Sequence, residues 1–332
     1  MNLTEKLEEQ AKKNPQRVVF PESGNEMIIR AAQEVASKGI GFPILIGKKE
    51  VIEEFAAGID VSTEGFTYFD NTDEEEKEKT ALEYTAKYDD YSEKAVKRKC
   101  KDPVNFAMFL VMLGKGDCVA AGREYTTADV IIAAQSIVGM KAGFQNVSSL
   151  GILNIPGYDG PEGSMLAIAD CAVNASPDSD ALADIAISSA DTVHTLLGWE
   201  PRVAMLSFST CGSSEHDSID VIREAVAAAK ERRPELKIDG EFQLDAAIVP
   251  KVAANKVKRD SDVAGKANIL IFPNLHAGNI GVKIFQNFAH ADAYGPVLQG
   301  FARPICDFSR SAPLSEMMGN IIMLIIRAGK EK

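Results

Sequence analysis

Short apolar runs alternate with amphipathic segments along the first part of the chain. The apolar runs predict buried strands at residues 17–20, 42–46, 66–69 and 118–121. Helical periodicity predicts helices at residues 3–13, 27–37, 106–113, a segment ending at Ala56, and most of the charged stretch 73–101. Because short continuous apolar strands alternate with helices, the pattern predicts a parallel sheet covered on both faces.

A second series of the same kind follows in the middle of the chain. It predicts strands near residues 148–153, 165–169, 202–207 and 268–272, and helices at residues 180–197 and 219–232. The two series together predict an α/β fold with two domains, for which 332 residues leave ample room.

Composition narrows the classes of function. Hydrophobic residues make up 45% of the chain and charged residues 25%, which is typical of a soluble globular protein. The net charge of −12 argues against nucleic-acid binding, and an anionic substrate would need a local basic pocket. The absence of a long apolar run argues against membrane insertion. Five cysteines without CxxC spacing indicate a reducing, cytoplasmic location and neither disulfides nor a zinc site.

Candidate chemistry concentrates in one segment near the C-terminus. The segment begins with a predicted turn at Tyr294, and Pro313 predicts the start of the last helix. Ser309 and Arg310 therefore precede a helix N-terminus, where free N–H groups and a guanidinium favour an anion. Glu316 falls in the first helical turn. These groups suit acyl or phosphoryl chemistry, or they are a cap, a surface arginine and a glutamate that complements the helix dipole.

The segment YGPVLQGFARPICDFSRSAPLSE (294–316) resembles the C-terminal signature of the phosphate acetyl- and butyryltransferase family. Further segments resemble the same family in the same order: VVFPE (18–22), DCAVN (170–174), PRVAMLSFSTCGS (201–213), DGEFQLDAA (239–247) and VAGKANILIFPNLHAGNIGVK (263–283). The resemblance covers nearly the whole chain and is strongest from about residue 200 onward.

The resemblance implies two α/β/α domains with mainly parallel sheets, of the isocitrate/isopropylmalate dehydrogenase-like fold. Residues 1–147 plus 295–332 would form the first, discontinuous domain, and residues 148–294 the second. An active-site cleft between the domains would hold the substrates. Members of the family are typically homodimers, so a homodimer is expected.

The implied reaction moves an acyl group, first of all acetyl, between coenzyme A and phosphate. Coenzyme A is then a substrate, and no metal, other cofactor or covalent enzyme intermediate is required. The resemblance assigns Ser309 to the thiol and carbonyl, Arg310 to the phosphate end, and Glu316 to the place of the family's aspartate base. Thr126 and Thr127 match a helix start that contacts coenzyme A, although capping of that helix is an alternative.

Two arginines of the family are missing or displaced. Ile132, taken as a buried aliphatic residue, stands where one arginine is expected, and the other aligns near Ala86 and Lys87. Arg123 is predicted to replace the missing cation at Ile132 or, alternatively, to pair with Glu124 or a surface acid.

A second group of residues is predicted to contact substrate or coenzyme A: Asn279 and Lys283 at a helix start, and Tyr294.

The altered arginine sites leave rival functions open. One rival is a phosphate butyryl- or propionyltransferase, and another is a non-catalytic homologue that binds coenzyme A. A metal- and NAD-dependent decarboxylating dehydrogenase is disfavoured, because the chain has neither a metal-ligand cluster of aspartates nor a nucleotide signature.

Overall fold

The computed structural model describes residues 3–330. These residues form two compact units, and each unit has its own sheet. The first unit contains the described residues up to Lys141 and those from Phe301 onward, and the second unit spans Ala142–Gly300. The predicted class, mixed α/β with two mainly parallel sheets, is confirmed.

The elements alternate between strand and helix along most of the described chain. The strands are β1 (Gln16–Phe20), β2 (Gly41–Ile46), β3 (Thr67–Phe69), β4 (Cys118–Ala121), β5 (Ser148–Asn154), β6 (Met165–Ala169), β7 (Arg202–Leu206), β8 (Lys237–Phe242), β9 (Ile269–Ile271), β10 (Asp292–Gln299) and β11 (Ile305–Asp307). The helices are α1 (Leu3–Lys12), α2 (Glu26–Ser37), α3 (Lys49–Gly58), α4 (Glu74–Thr85), α5 (Glu93–Lys99), α6 (Pro103–Met112), α7 (Thr127–Ile137), α8 (Ser179–Leu197), α9 (Asp217–Arg232), α10 (Leu244–Ile248), α11 (Pro250–Lys256), α12 (Leu275–Phe288) and α13 (Leu314–Lys330).

The sheet of the first unit is parallel throughout, in the order β11-β4-β1-β2-β3. Helix α13 lies against β1, β4 and β11 with its apolar face buried. Because β1, β4 and β11 are neighbours and run the same way, the loops that follow them meet at one edge of the sheet. These three loops contain Glu22, Gly122 and Ser309.

The sheet of the second unit is mixed, in the order β10-β5-β6-β9-β7-β8. Strand β5 is antiparallel to both β10 and β6, and the remaining pairs are parallel. An apolar core between this sheet and the helices α10 and α12 includes Leu153, Leu206, Phe242 and Leu270.

The segment after Tyr294 differs from its predicted structure. The predicted turn is wrong, because β10 continues past it and pairs Val297 with Leu150 and Gln299 with Ser148. A register shift between Tyr294 and Val297 accommodates Pro296, which has no N–H for the ladder. Residues 295–300 consequently group with the second unit, as do residues 142–147, rather than with the first domain as expected. The functional division into domains and the cleft between them stay predictions.

Candidate active site

Glu22 fixes the shape of the loop that follows β4. Its carboxylate is buried and accepts four consecutive backbone N–H groups, those of residues 122–125. The N···O distances lie between 2.6 and 3.1 Å. A carboxylate with this many donors is held in one orientation, and so is the loop it binds. We refer to residues 122–125 as the 122–125 loop.

Gly122 brings this loop into direct contact with the chain that follows β11. Its φ is +111°, a conformation that favours glycine. A Cβ at this position would lie 2.3 Å from Oδ1 of Asp307 and 2.6 Å from the backbone nitrogen of Phe308. The two segments can approach this closely only because residue 122 has no side chain.

Thr126 and Thr127 use their hydroxyls within the protein. Thr126 caps α7 in a capping box, in which its hydroxyl and backbone exchange hydrogen bonds with Asp129. The hydroxyl of Thr126 also lowers the pKa of Asp129. Thr127 donates a 2.6 Å hydrogen bond from Oγ1 to Oδ2 of Asp307. The capping role of Thr126 is confirmed, and the contact of either residue with coenzyme A stays a prediction.

Asp307 carries a buried carboxyl group with an incomplete set of partners. It is 7% exposed, and its Oδ1 is buried without a hydrogen-bond donor. Burial raises the pKa of Asp307 to about 6, against the opposing effect of the hydrogen bond from Thr127 and with a contribution from the negative charge of Glu22.

The three predicted catalytic residues lie after β11, at this edge of the sheet. Ser309 and Arg310 are exposed, and the hydroxyl of Ser309 lies 3.3 Å from that of Ser311. Glu316 lies in the first turn of α13, as predicted, and is half-buried. Within residues 3–330, the guanidinium of Arg310 and the carboxylate of Glu316 have neither an ion pair nor a hydrogen bond. Both charges are therefore available to a ligand.

Arg123 has a different environment from the one predicted. Its Nη1 donates hydrogen bonds of 3.2 Å to the carbonyl oxygens of Ser309 and Ala312. Its side chain is half-buried, and its Nε is buried without an acceptor. The structure shows no ion pair between Arg123 and Glu124 in the described chain. Its replacement of the cation missing at Ile132 stays a prediction that these contacts do not favour.

Ile132 lies on the surface of α7. The expectation that it is a buried aliphatic side chain is wrong, because 62% of Ile132 is exposed. The helix turns this position outward, next to a pocket of about 370 Å³ that Lys99, Tyr125 and Asp129 also line. The pocket therefore has mixed charge, in a region where the family resemblance implies arginine.

The second unit holds the other predicted contact residues. Asn279 is exposed on α12 and donates a 3.3 Å hydrogen bond to the carbonyl of Cys171. Lys283 is exposed one turn later, and the amine has no partner among the described residues. Tyr294 lies half-buried in β10, opposite Ile152. Asn279 and Lys283 thus share one helix, while Tyr294 belongs to the sheet.

Asp170 fixes the loop that follows β6, against which helix α12 packs. Its buried carboxylate accepts hydrogen bonds from the N–H groups of residues 172–174 and from the hydroxyl of Ser149. Gly278 packs against this loop so closely that a Cβ would lie 2.2 Å from the carbonyl oxygen of Asp170. Sequence analysis did not assign a role to Glu22, Asp170 or Asp307. The sequence signal that indicates such residues is an acidic residue at or just after the end of an apolar strand.

Within the described chain, no group of three or more His, Cys, Asp or Glu side chains is arranged to hold a metal ion. None of its helices combines the length and the apolar composition needed to span a membrane.

Comparison with known proteins identifies the family. The family model for phosphate acetyl/butaryl transferase matches residues 2–325. The chain belongs to this family. A phosphate acetyltransferase of Thermoanaerobacterium thermosaccharolyticum is 39% identical over 99% of this chain and 100% of its own length. The phosphate acetyltransferase of Bacillus subtilis is 39% identical over 89% of both chains.

Solved structures of the phosphate acetyl/butaryl transferase family have the same fold. A phosphotransacetylase from Streptococcus pyogenes superposes with a TM-score of 0.89 at 32% identity, and the match covers 98% of both chains. The family resemblance deduced from the sequence is thereby confirmed. The roles of individual residues stay predictions.

Proposed function

We propose that this protein catalyses reversible acetyl transfer between acetyl-CoA and phosphate, forming acetyl phosphate and coenzyme A. Family membership and full-length relatives named phosphate acetyltransferase support the activity. The observation that carries the proposal is the Arg310 guanidinium beside Ser309, with the Glu316 carboxylate in the first turn of α13, both without a partner within residues 3–330. An anion-binding cation and a free carboxylate are the charges that this reaction uses.

In the proposed mechanism Arg310 holds the phosphate end of acetyl phosphate. Glu316 accepts the proton of the coenzyme A thiol, because the thiolate is the nucleophile. The sulfur attacks the carbonyl carbon, the bond from that carbon to the phosphate oxygen breaks, and phosphate leaves. Ser309 donates to the carbonyl oxygen as negative charge develops there. Coenzyme A is a substrate in this scheme, and no further cofactor is proposed.

The proposal is tested by measuring coenzyme A-dependent thioester formation from acetyl phosphate with the purified protein. Arg310→Ala should lower kcat/KM about 10- to 100-fold, since a lost charge-assisted contact costs roughly 1.5–3 kcal/mol. Glu316→Gln should lower kcat roughly 100-fold or more, as expected for loss of a general base. Arg303→Ala is the matched control, because Arg303 precedes β11 and lies at the opposite edge of the same sheet. Full activity in Arg310→Ala would refute the anion role.

A different acyl chain is the second candidate. The exposed Ile132 beside the 370 Å³ pocket favours it, because an apolar side chain replaces a cation implied by the resemblance. Parallel assays with propionyl phosphate and butyryl phosphate decide between the chains. If coenzyme A binds and none of the three acyl phosphates turns over, the chain is a non-catalytic coenzyme A-binding homologue.

We further propose a homodimer in the cytoplasm. Helix α12 exposes Ile280, Ile284 and Phe288 by 57%, 52% and 82%, at a spacing of four residues. An apolar stripe of this kind fits a second copy of the chain. Five free cysteines support a reducing compartment.

Light scattering during size-exclusion chromatography tests the dimer. The wild type should have twice the chain mass of 35.8 kDa, and Ile284→Glu should have the single mass. Gln286→Glu adds the same charge to an exposed position beside the stripe and should stay dimeric. A monomeric wild type would contradict the proposal.

A further inference from the structure

The turn that carries Ser309 and Arg310 has an unusual attachment to the rest of the protein. We refer to residues 309–312 as the 309–312 turn. Its own internal hydrogen bond runs from the N–H of Ala312 to the carbonyl of Ser309, at 3.0 Å. Nη1 of Arg123 also donates hydrogen bonds to the carbonyl oxygens of both Ser309 and Ala312. Arg123 therefore binds the first and the last residue of the turn at once.

Within the described chain, hydrogen bonds to the 309–312 turn from outside it come from Arg123 alone. Three of the four side chains of the turn are exposed, and Ala312 is the buried one. Phe308, the residue before the turn, is held by its buried ring and by its N–H, which donates to the carbonyl of Ala121. Between Phe308 and the buried Ala312, the guanidinium is therefore the group of the described chain that fixes the turn by hydrogen bonds.

Arg123 is itself held firmly at its backbone. Its N–H donates to Oε2 of the buried Glu22, as does the N–H of Gly122. The half-buried side chain then extends from this fixed backbone to the 309–312 turn. A chain of contacts thus runs from Glu22 through Arg123 to the first and last residues of the 309–312 turn.

The two arginines have different electrostatic situations. Nη1 of Arg123 is occupied by two carbonyl oxygens, and its Nε is enclosed without an acceptor. Arg310 is exposed and has no partner in the part of the chain that the structure describes. A substrate anion therefore meets Arg310 first, and an anion on Arg123 would have to displace the contacts of the turn.

We propose that Arg123 is a positioning residue, which holds the 309–312 turn so that Ser309 and Arg310 face the substrate in reacting geometry. The inference rests on the proposed acyl transfer and goes beyond it, because it assigns Arg123 to the protein rather than to the anion. The cation missing at Ile132 is then not replaced by Arg123.

The split between kcat and KM tests this role. Arg123→Ala should lower kcat about 100-fold, as a shift of about 1 Å in a reacting group does, and should raise the KM for acetyl phosphate less than Arg310→Ala does. Arg123→Lys retains a donor for the same carbonyls and should recover part of kcat. Arg303→Ala should match the wild type. A large rise in KM and in the inhibition constant of inorganic phosphate, with kcat unchanged, would overturn the proposal.

A second measurement does not depend on activity. Trypsin cleaves after exposed arginines, and mass spectrometry can follow the bond between Arg310 and Ser311. Cleavage there should be about tenfold faster in Arg123→Ala than in the wild type, because the turn opens more often. Equal cleavage in folded Arg123→Ala and the wild type would overturn the positioning role. Inactive wild type with faster cleavage in the variant would refute the acyl transfer and leave the contact itself supported.

Discussion

At the scale of single residues, two buried residues, Asp307 and Gly122, lie behind the candidate site. Asp307 is a carboxyl group with one oxygen bonded to Thr127 and the other without a donor. Gly122 lies directly against it, in a conformation that other residues rarely adopt. Asp307 makes the free energy of unfolding depend on pH, and Gly122 limits which side chains are tolerated at its own position.

Asp307→Asn should remove a pH dependence of stability. The pKa of Asp307 rises from an ordinary 3.8 to about 6 in the folded protein, so between these values the folded state binds more protons than the unfolded state. Stability therefore falls as pH rises from about 4 to 6, and the loss persists above 6. In urea unfolding, Asp307→Asn should be more stable than the wild type by about 3 kcal/mol at pH 7 and by much less at pH 4. An equal difference at both pH values would refute this explanation.

Gly122→Ala should be severely destabilising. The new Cβ would be 2.3 Å from Oδ1 of Asp307, and the positive φ adds strain. The expected loss exceeds about 3 kcal/mol, measured by thermal or urea unfolding. Gly139→Ala is the matched control, because Gly139 has a φ of +74° with nothing within 4 Å of the new Cβ. It should lose only about 1 kcal/mol. Similar losses in both variants would show that contact with Asp307 is unimportant.

At the scale of elements, buried acids shape the loops at the ends of strands. Glu22 follows β1, Asp170 follows β6, and Glu241 lies near the end of β8, and each accepts backbone N–H groups. A single carboxylate satisfies several donors of a loop that has no ladder partner. Loops fixed in this way hold functional side chains without further secondary structure.

Glu241 should contribute to stability against acid. Burial works to raise the pKa of Glu241, but hydrogen bonds from Arg223, Gly212 and Ser209 outweigh burial and lower it to about 2. Its contribution is therefore complete above the ordinary pKa of 4.5 and is lost as pH falls toward 2. Unfolding measured from pH 6 to pH 2.5 should show a loss of about 2 kcal/mol from this group, absent in Glu241→Gln. Parallel curves for variant and wild type would contradict the assignment.

Strands were predictable where both faces are buried, and harder to predict where polar residues enter the sheet. The apolar runs at β1, β2 and β4 were enough to place them, because sequence and burial agree there. Strand β8 was missed, since Asp239 and Glu241 are acids whose partners Arg259 and Arg223 lie elsewhere in the sequence. Strand β10 was missed because Gly295 and Pro296 are typical of turns.

The candidate site was predictable only in part, for a related reason. Ser309, Arg310 and Glu316 stand together in sequence near a helix start, so local pattern and family resemblance found them. The partners of Glu22 are about 100 residues away, and Thr127 is 180 residues from Asp307. Contacts of that separation follow from topology, which the sequence of a single protein does not display.

At the scale of the whole molecule, the first unit is assembled from two separate stretches of the chain, one before and one after the second unit. Helix α1 packs against α13, and Nδ2 of Asn14 donates to the carbonyl of Gly329 at 3.2 Å. Strand β11 forms the edge of the parallel sheet beside β4. The second unit, in contrast, is one continuous stretch from Ala142 to Gly300.

A chain truncated after Gly300 should lose the first unit and keep the second. It lacks β11 and α13, and each of the buried Ile, Leu and Met side chains of α13 stabilises the fold by roughly 1.5–3 kcal/mol. Limited proteolysis should digest residues before 142 and leave a resistant fragment close to Ala142–Gly300. A resistant fragment that retains β1 through β4 would contradict this prediction.

The same arrangement sets an order for folding on the ribosome. Because β11 and α13 follow the second unit along the chain, the sheet of the first unit cannot be completed until the second unit has been synthesised. The second unit is synthesised completely before β11 and α13, so it can fold before the first unit does. This order reverses the usual one, in which the N-terminal domain folds first. Until α13 is made, the apolar strands β1 and β4 are without the helix that packs against them.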